Sequence, residues 1–521
     1  MIQNHGKKRW LVTNMSSGCK ELQSLKDLKV YKLVPRDTVP RGRKILKGRL
    51  VCTRKRDEAG VVKQHKVQFI CKGFEQVFGQ DYNKTTAPTA RMESFHALLQ
   101  IAAAHDWDAR QFDVKTAFLY GVLPEEEAQY MEQPEGFEEA GKEDWVWLLQ
   151  KGLYGMKQSG RIWNKMMHTA MVEWGFEHLP CEWCIYYRKT RTGITIVVVH
   201  VDDMLSIASN QEENEQFYQQ LKQKWVISDL GEVKFTLGIA VQRNCTERTM
   251  ALSQKSLINR VLTQFRQQDA DPAPSPMEPS LKLAWPDQSI ELSKEEYNIL
   301  AVTPYRSLVG CLMYLAIGTR PDIAFAVRRL TGFMDCYHRE HWNAALRVVR
   351  YLKGPKDLVL TLGGEQIQLV SFTDSDYANC TDTRRSIGGY CFALGTGIIS
   401  WASRKQRIVT DSTCYAEYIA AHEASKECLW LRHLLSGLDI PQQDPTPLLC
   451  DNNAVITLSQ DQALHARSKH YDITYHLLRQ CVEDEKIVLS RVRSSDNPAD
   501  IFTKALGTKD FCRLRDYPGV R

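Results

Sequence analysis

The chain has 521 residues, a mass of 59.8 kDa and an ordinary globular composition, with 43% hydrophobic and 25% charged residues. This length supports several hydrophobic cores, so we expect three or four domains. No apolar run reaches the ~18 residues of a membrane-spanning helix and no signal-peptide pattern opens the chain, which excludes a secreted or membrane class and indicates a soluble, intracellular protein.

The net charge of +6 is unevenly distributed. Residues 1–72 contain 19 basic and 5 acidic residues, a net charge of +14, so the rest of the chain carries −8. A basic N-terminal segment followed by a carboxylate-rich sequence is typical of a protein that binds a polyanion next to its metal sites. A solvated basic surface explains the charge alone equally well.

The cysteines indicate a reducing compartment. Fifteen are scattered without a framework spacing. The one close pair, Cys181 and Cys184, lacks the second pair that a structural zinc site needs, so we interpret the cysteines as structural.

In the front half, short β-like runs follow a stretch, residues 1–20, that shows no periodicity. Apolar residues at helical spacing predict helices over Glu93–Ala104 and Arg161–Phe176, and a short strand is predicted at Gln111–Leu119, which carries Asp113. The elements predicted next are a hairpin of Trp183–Arg188 and Thr195–Val201, a helix over Gln211–Trp225, and strands at Val233–Val241 and Thr249–Ser253.

Five prolines place the main linker within Asp269–Gln288. Three helical segments are predicted after it, at Tyr305–Ala316, Pro321–Cys336 and Trp342–Leu352. A new α/β pattern begins at Leu369. Its predicted elements are a strand into Asp374, strands around Gly388 and Ile398–Ala402, a helix over Ser412–Ser436, a strand at Pro447–Cys450, a helix from Tyr471 and a last strand at Ile487–Val492.

Two adjacent carboxylates, Asp202 and Asp203, lie where one apolar, β-branched run ends and another begins. Neighbouring strand residues face opposite ways, so both side chains converge only at a turn or at a metal ion, and a divalent cation removes their mutual repulsion. Asp113 also lies among apolar residues and needs a cationic partner. An isolated Asp pair is more often a plain turn. Three acids at strand ends instead favour a two-Mg²⁺ centre for phosphoryl transfer to a nucleic-acid 3′-hydroxyl.

These residues belong to a set of motifs that resembles the reverse transcriptase of copia-type (Pseudoviridae-like) LTR retrotransposons. The motifs run in the family's order over most of the chain: Asp81-Tyr82 with Thr86-Ala87-Pro88, Phe112–Gly121, Tyr130–Phe137, Leu153–Gln158, His200-Val201-Asp202-Asp203, Pro304–Gly310 and Thr319–Ile323.

The resemblance implies a role for each matching residue. Asp113, Asp202 and Asp203 would be catalytic metal ligands, and Phe118 would lie under the incoming sugar as a steric gate against a 2′-hydroxyl. Lys157 and Gln158 would lie beside the template and nucleotide pocket. Leu237-Gly238 would lie near the primer terminus.

Four further acids, Asp374, Glu417, Asp451 and Asp500, occur in the order strand, helix, strand end and start of the last helix. This is the carboxylate order of the ribonuclease H fold. The segment resembles the copia-type ribonuclease H domain, including Asp382–Ser386 and His470–Ile473. All four acids would be catalytic metal ligands that cut the RNA strand of an RNA–DNA hybrid.

The implied fold is α+β and multidomain: a right-hand polymerase of fingers, palm and thumb, connection helices, and an α/β ribonuclease H-like domain. The expected boundaries are an N-terminal extension at 1–28, the reverse transcriptase at 29–268, a Pro-rich linker and helical connection at 269–366, ribonuclease H at 367–506 and a tail at 507–521. Regions encoding nucleocapsid, protease and integrase are expected before this segment in a complete polyprotein.

The implied cofactor is Mg²⁺ or Mn²⁺, two ions per active site. The implied partners are an RNA template, a DNA or RNA primer, an RNA–DNA hybrid and dNTPs, with no membrane. The expected location is the cytoplasm, in a virus-like particle, with the nucleus as a second location.

Some positions depart from the family pattern. His200, Gly160 and Tyr415 replace an aromatic residue, a Pro and a Glu. Gln68 and His96 stand where Arg is common, and losing a guanidinium that grips a triphosphate would weaken nucleotide binding. Two alternatives therefore stay open: a degenerate or host-retained remnant that binds nucleic acid without polymerising, and a hybrid nuclease whose polymerase half is only a scaffold.

Overall fold

The structure is a computed structural model that describes residues 18–56, 62–286, 293–460, 472–517 and 519–520. In chain order its strands are β1 (Tyr31–Val34), β2 (Ile45–Leu46), β3 (Gly48–Arg56), β4 (Val62–Cys71), β5 (Asp108–Val114), β6 (Gln129–Glu132), β7 (Val146–Leu149), β8 (Glu177–Leu179), β9 (Glu182–Lys189), β10 (Ile194–His200), β11 (Asp203–Ala208), β12 (Ile227–Glu232), β13 (Phe235–Thr236), β14 (Ile239–Asn244), β15 (Thr249–Ser253), β16 (Leu360–Gly363), β17 (Leu369–Ser375), β18 (Ile387–Leu394), β19 (Gly397–Lys405), β20 (Thr446–Cys450) and β21 (Ile487–Arg491).

Helices alternate with these strands and make the chain a mixed α/β, multidomain protein. They are α1 (18–27), α2 (Met92–Ala104), α3 (Ser159–Glu173), α4 (Gln211–Lys224), α5 (Lys255–Gln264), α6 (Lys294–Val302), α7 (Tyr305–Gly318), α8 (Ala324–Thr331), α9 (Arg339–Lys353), α10 (Thr413–Gly437), α11 (Asn453–Gln460), α12 (Asp472–Glu483) and α13 (Thr508–Asp516).

The basic front region contributes strands to two sheets, the first of which also takes in β6 and β7. One has the strand order β1-β7-β6-β2, and the other is the ribbon β3-β4. α1 lies beside them and buries Leu25 completely. The expectation of no regular structure before residue 20 was therefore wrong for residues 18–20, while residues 1–17 lie outside the described part.

The central sheet has six antiparallel strands in the order β12-β5-β11-β10-β9-β8. Its two faces are both covered, which explains the unbroken apolar run in β10. Ile196 and Val198 face a core shared with α2, while Val197 and Val199 face a core shared with α3 and α4. The predicted strand from Gln111 to Leu119 is shorter than expected, because Ala117–Tyr120 forms a 3₁₀ turn after β5.

The C-terminal sheet has the order β19-β18-β17-β20-β21. β17, β18 and β19 are antiparallel, whereas β20 and β21 run parallel to β17. The long helix α10 packs against this sheet and buries Tyr418, Leu431 and Leu435. Asp500 does not begin the last helix as expected, because it lies in a 3₁₀ turn, Pro498–Phe502, and the last helix is α13.

The front and back halves share one hydrophobic core. Residues of α2 and the central sheet pack in the same cluster as residues of β17, β18 and α10. At its edge the Arg91 guanidinium lies 3.7 Å from the centroid of the Trp430 ring and forms an ion pair with Glu427, N to O 3.0 Å. β16 crosses the same junction, because it pairs with β15 more than a hundred residues earlier in the chain.

The predicted linker is not a free connection. Between Asp269 and Pro286 the chain has no helix or strand, but Ala273, Met277 and Leu283 are buried against α8 and α9. The Ala273 N–H also donates to the Arg350 carbonyl at 3.3 Å. Residues 287–292 lie outside the described ranges.

Across the described residues, no single helix has the length and hydropathy to cross a membrane; α6 and α7 pass that test only as a pair, bent by 41° at their break.

Candidate active sites

The first acidic site is built around the turn between β10 and β11. His200 pairs with Asp203, so Val201 and Asp202 form a two-residue turn. Val201 has φ +62°, a strained conformation for a β-branched residue. Its carbonyl accepts a hydrogen bond of 2.6 Å from the buried Trp163 indole, which helps to hold the strained turn in place.

The sheet register brings Asp113 to this turn. Asp113 is the direct partner of Asp203 across the β5–β11 pair, and directly paired residues project from the same face. The Val114 N–H donates to the Asp202 carbonyl at 2.9 Å, which fixes the turn against β5. All three acids are half-buried. The structure therefore brings together the three acids that the sequence singled out.

An aromatic pair lies beside these acids. Phe118 packs edge-to-face on Tyr154, with ring centroids 5.5 Å apart. Burial raises the pKa of Tyr154, and the charges of Glu21, Asp202 and Asp113 raise it further. The Gln68 amide, from β4, donates a hydrogen bond to the Tyr154 hydroxyl. Gln68 thus lies beside the site, as its position in the sequence suggested.

Lys157 and Gln158 differ in placement. Lys157 is exposed, whereas Gln158 is fully buried. The Gln158 amide donates to the Asp81 carbonyl at 3.1 Å and accepts from Gln76 at 3.0 Å. The Gln158 side-chain amide is thus hydrogen-bonded inside the protein, and its place beside the template and nucleotide pocket stays a prediction.

His96 also lies elsewhere than expected. It is buried on α2, with its ring nitrogens 2.8 Å from the Gly318 carbonyl oxygen and 3.2 Å from that of Ile399. Its ring stacks on Trp401. Burial lowers its pKa. The interpretation of His96 as a lost triphosphate contact is therefore wrong, because the residue belongs to the junction between the halves.

The Leu237-Gly238 turn joins β13 and β14, so the predicted strand Val233–Val241 is two short strands. Both residues have positive φ, +49° and +69°. The Tyr314 hydroxyl of α7 donates a hydrogen bond to the Leu237 carbonyl, which attaches this turn to the helical segment.

The second acidic site collects residues from four elements. Asp374 lies on β17, Glu417 on α10, Asp451 directly after β20, and Asp500 in the 3₁₀ turn near the C-terminus. Asp374, Glu417 and Asp451 each offer an oxygen within 4.8 Å of the other two. Within the described ranges no other group of three such ligands, the first acidic site included, meets this distance.

Asp500 lies next to the trio and is linked to it through Lys504. Lys504 Nζ is 3.0 Å from Asp500 Oδ2 and 3.7 Å from Asp374 Oδ2. The Thr503 hydroxyl donates a hydrogen bond to the Asp374 carboxylate. The four predicted acids are therefore together, with a lysine as their built-in counter-charge.

The electrostatics of this site favour a cation. Burial, and then the charges of Asp374 and Asp451, raises the pKa of Glu417 to about 9. Burial and the charge of Asp374 raise the pKa of Asp500 to about 7. Glu417 Oε2 and Asp500 Oδ1 are buried without a hydrogen-bond partner. Oxygen donors of this kind, crowded and unsatisfied, fit a hard divalent ion such as Mg²⁺.

Sequence reasoning missed Asp376. This buried carboxylate accepts a hydrogen bond from the Ile387 N–H, and burial, with a contribution from Asp374, raises its pKa to about 7. The signal was available, since residues two apart along a strand face the same way and Asp376 follows Asp374 at that spacing.

Residues 28–279 match the family model described as reverse transcriptase (RNA-dependent DNA polymerase). The whole chain is 36% identical, over 520 residues, to the retrovirus-related Pol polyprotein from transposon TNT 1-94 of Nicotiana tabacum. It is 33% identical, over 91% of its length, to the Pol polyprotein from transposon RE1 of Arabidopsis thaliana. Residues 28–279 therefore belong to the reverse transcriptase family, and the chain is similar over most of its length to the Pol polyproteins of copia-like transposons.

The chain spans about a third of these Pol polyproteins, 38% of the tobacco relative and 31% of the Arabidopsis one. Among solved structures it is similar to a foamy viral protease-reverse transcriptase in complex with double-stranded DNA. That match has a TM-score of 0.47 and 11% identity, and covers 91% of this chain and 69% of the viral one.

The first acidic site lies inside the region matched by the reverse transcriptase family model, and the second lies outside it. Asp113, Asp202 and Asp203 fall inside the matched residues 28–279, whereas the second site lies beyond them. The second site is nevertheless within the region aligned with the tobacco Pol polyprotein.

Proposed function

We propose that the chain is an RNA-directed DNA polymerase that also degrades the RNA strand of the RNA–DNA hybrid it produces. The observation that carries the polymerase half is the pairing of Asp113 with Asp203, beside Asp202, inside the region matched to reverse transcriptases. The acidic trio of Asp374, Glu417 and Asp451, with Asp500 beside it, supports the nuclease half.

The proposed layout assigns a role to each part of the chain. The sheet β1-β7-β6-β2 and the ribbon β3-β4 would form the fingers, and the six-stranded sheet would form the palm. The region up to residue 268 would be the remainder of the polymerase with its thumb. Residues 269–366 would be the connection and 367–506 the ribonuclease H domain, flanked by an extension at 1–28 and a tail at 507–521. The antiparallel and parallel order of β19-β18-β17-β20-β21 supports the ribonuclease H assignment.

In the polymerase site, Asp113, Asp202 and Asp203 would hold Mg²⁺ or Mn²⁺ from the edge of the palm. Two ions in each site, when bound, would lower the pKa of the attacking hydroxyl or water and stabilise the leaving oxygen. Phe118, held by Tyr154, would exclude a 2′-hydroxyl by contact with its ring. Exposed Lys157 would meet the nucleotide or template, while buried Gln158 would keep the loop of Lys157 in place through Gln76.

In the nuclease site, Asp374, Glu417, Asp451 and Asp500 would bind the ions and orient the attacking water. Lys504 neutralises part of the acidic charge before any ion binds. The proposed partners are RNA template, DNA or RNA primer, dNTPs and the hybrid, in a cytoplasmic virus-like particle with the nucleus as a second location. Phosphate contacts from the basic front region would make binding sensitive to salt.

Primer extension on poly(rA)/oligo(dT) with Mg²⁺ tests the polymerase. We expect incorporation of dTTP that is lost in Asp202→Asn and kept in Glu212→Gln, an exposed acid on α4 that serves as the matched control. Wild-type protein that binds the primer-template but extends nothing would contradict the proposal.

A second candidate, a hybrid nuclease with a silent polymerase half, is favoured by one observation. Among the described residues, Asp374, Glu417 and Asp451 are the one group of three acids whose oxygens all lie within 4.8 Å of one another. Hybrid cleavage that survives Asp113→Asn but not Asp374→Asn, with no extension by the wild type, would select this candidate.

A further inference from the structure

The long helix α10 belongs to both halves of the chain. Its N-terminal part carries Glu417 of the second acidic site, and its C-terminal part lies against the residue before α2 and the residue before β9. Glu427 comes ten residues after Glu417, which is about 15 Å along the helix axis at 1.5 Å per residue. A contact that fixes Glu427 therefore also helps to fix where Glu417 lies.

Arg91, the residue before α2, joins this helix to the polymerase half. One of its guanidinium nitrogens lies 3.0 and 3.1 Å from the two carboxylate oxygens of Glu427. The guanidinium carbon lies 3.7 Å from the centroid of the Trp430 ring, a cation–π contact. Glu427 is buried and also accepts the Ser400 hydroxyl at 2.8 Å. Removing Arg91 would therefore leave a buried carboxylate without its counter-charge, which is costly.

The backbone of Arg91 is attached to the six-stranded sheet. Its N–H donates to a carboxylate oxygen of Glu182, on β9, at 3.4 Å, and the buried Ser94 hydroxyl of α2 donates to the same oxygen at 3.0 Å. Trp430 makes a contact in the opposite direction, because its indole donates to the Cys181 carbonyl, directly before β9, at 3.3 Å. Arg91 thus reaches α10 from a backbone that is held on the sheet.

Contacts with the same sheet continue to the end of α10. Lys189, the last residue of β9, donates a hydrogen bond to the Asp439 carboxylate, just after α10. Both partners are exposed, so this pair adds little free energy but shows how far the helix follows the sheet. The packing there is close, because a Cβ added at Gly437 would lie 3.0 Å from the Leu179 side chain of β8.

One sheet and one helix connect the two acidic sites. Asp203 begins β11, which pairs with β10, and β10 pairs with β9. The β9 strand and the residue before it contact α10, and α10 carries Glu417. Hydrophobic residues of all four elements share one core. A close-packed core has low compressibility, so these contacts hold the two sites at a set separation.

We propose that Arg91 is a positioning residue for the nuclease. From the polymerase half it holds α10, and with it Glu417, at a set distance from Asp202 and Asp203. A hybrid bound at both sites is then cut at one distance behind the primer terminus. The inference rests on the proposed polymerase and nuclease functions and adds to them the residue that joins their sites.

The test maps where the full chain cuts the RNA of a recessed primer–template in Mg²⁺, with the RNA labelled at its 5′ end. We expect the wild type to cut mainly at one distance from the primer 3′ terminus. Arg91→Met keeps an apolar stem over Trp430 but removes the ion pair, so the main position should lose its majority share to neighbouring positions. Arg91→Lys retains the positive charge and should keep more of the main position than Arg91→Met does.

Two further variants complete the set. Glu427→Gln removes the same ion pair from the α10 side and should give the same spread of cuts, so the test survives if one variant fails to fold. Arg306→Met is the matched control, because Arg306 forms an ion pair with Asp335 in which both side chains are exposed. It should cut like the wild type. Thermal unfolding shows whether each variant is folded.

Hydrogen exchange of the β9 and α10 amides in EDTA gives a second readout that needs no activity. Exchange reports local opening, so it should be faster in Arg91→Met than in Arg306→Met if the Arg91 contacts hold the two elements together.

Cutting by Arg91→Met and Glu427→Gln at the wild-type position overturns the proposal even if total cleavage falls, because a merely structural role lowers the amount of active protein without moving the cut. A wild type that cuts with no preferred distance from the primer terminus also overturns it. If the wild type cleaves no hybrid, the nuclease function is refuted, and hydrogen exchange alone decides whether Arg91 joins the halves. Equal exchange in Arg91→Met and Arg306→Met then overturns the proposal as well.

Discussion

Replacing Glu417 by Gln should stabilise the metal-free protein and abolish the proposed hybrid cleavage. Glu417 is 8% exposed and its carboxyl pKa is raised from 4.5 to about 9, first by burial and then by Asp374 and Asp451. Below pH 4.5 the group is protonated in both the folded and the unfolded state, so it contributes no difference. Between the two pKa values the unfolded chain is ionised while the folded protein must hold the proton, so the wild type loses stability as pH rises.

The size of this stability loss follows from the difference between the solution pH and the pKa of Glu417 in the unfolded chain. pH 7 lies about 2.5 units above the pKa of Glu417 in the unfolded chain, and each unit is worth about 1.4 kcal/mol. Holding Glu417 protonated in the folded protein therefore lowers the free energy of unfolding by about 3 kcal/mol at pH 7. Gln carries no such penalty and has nearly the same shape. We therefore expect Glu417→Gln to be more stable than wild type by up to about 3 kcal/mol at pH 7 in EDTA, with the gain vanishing below pH 4.5.

Hydrogen exchange of the β17 and α10 amides, measured in EDTA across this pH range, reports the local free energy of opening. Glu423→Gln, a partly exposed acid on α10 that pairs with Lys426, is the matched control and should not gain stability. Adding Mg²⁺ should stabilise the wild type more than Glu417→Gln, since the ion removes the repulsion that the variant already lacks. A gain that persists at pH 4, or no gain at pH 7, would refute the reasoning.

Two further changes are predicted. Phe118→Ala should admit ribonucleotides in primer extension, and a variant that still polymerises and rejects them as well as wild type does would exclude the steric-gate role. Tyr351→Phe should destabilise the helical segment by about 2 kcal/mol, because it removes a 2.6 Å hydrogen bond to the fully buried Asp322 carboxylate, which also pairs with Arg320. Denaturant unfolding measures this loss, and an unchanged free energy of unfolding would show that the hydrogen bond is dispensable.

Local patterns predicted much of the fold. The hairpin predicted from Trp183–Arg188 and Thr195–Val201 is β9–β10, and apolar residues at helical spacing predicted α2 and α3 within a few residues of their ends. These elements are determined by nearby residues, so a local pattern suffices.

Features that depend on contacts between residues far apart in the chain could not be predicted from local sequence patterns. β16 is four residues long and exists because it pairs with β15 far earlier in the chain. The Pro-rich segment looked like a linker, yet a few scattered apolar residues such as Met277 and Leu283 attach it to the helices. His96 matched a nucleotide-binding position, but its carbonyl partners come from Gly318 and Ile399, which no local pattern indicates.

The sequence predicted which acids form the two acidic sites, but not how closely these acids approach one another or how deeply they are buried. The residue pattern and family motifs singled out all seven acids, and the structure gathers them as three and four. The tighter approach of Asp374, Glu417 and Asp451, the bridging position of Lys504 and the burial of Asp376 are properties of packing that appear only in three dimensions.

The most direct test of two separate metal-dependent sites is a single experiment on one set of proteins. Primer extension and hybrid cleavage are measured together for the wild type, Asp202→Asn and Asp374→Asn. We predict that Asp202→Asn loses extension and keeps cleavage, and that Asp374→Asn does the reverse. Loss of neither activity, or of both in each variant that remains folded, would contradict the account.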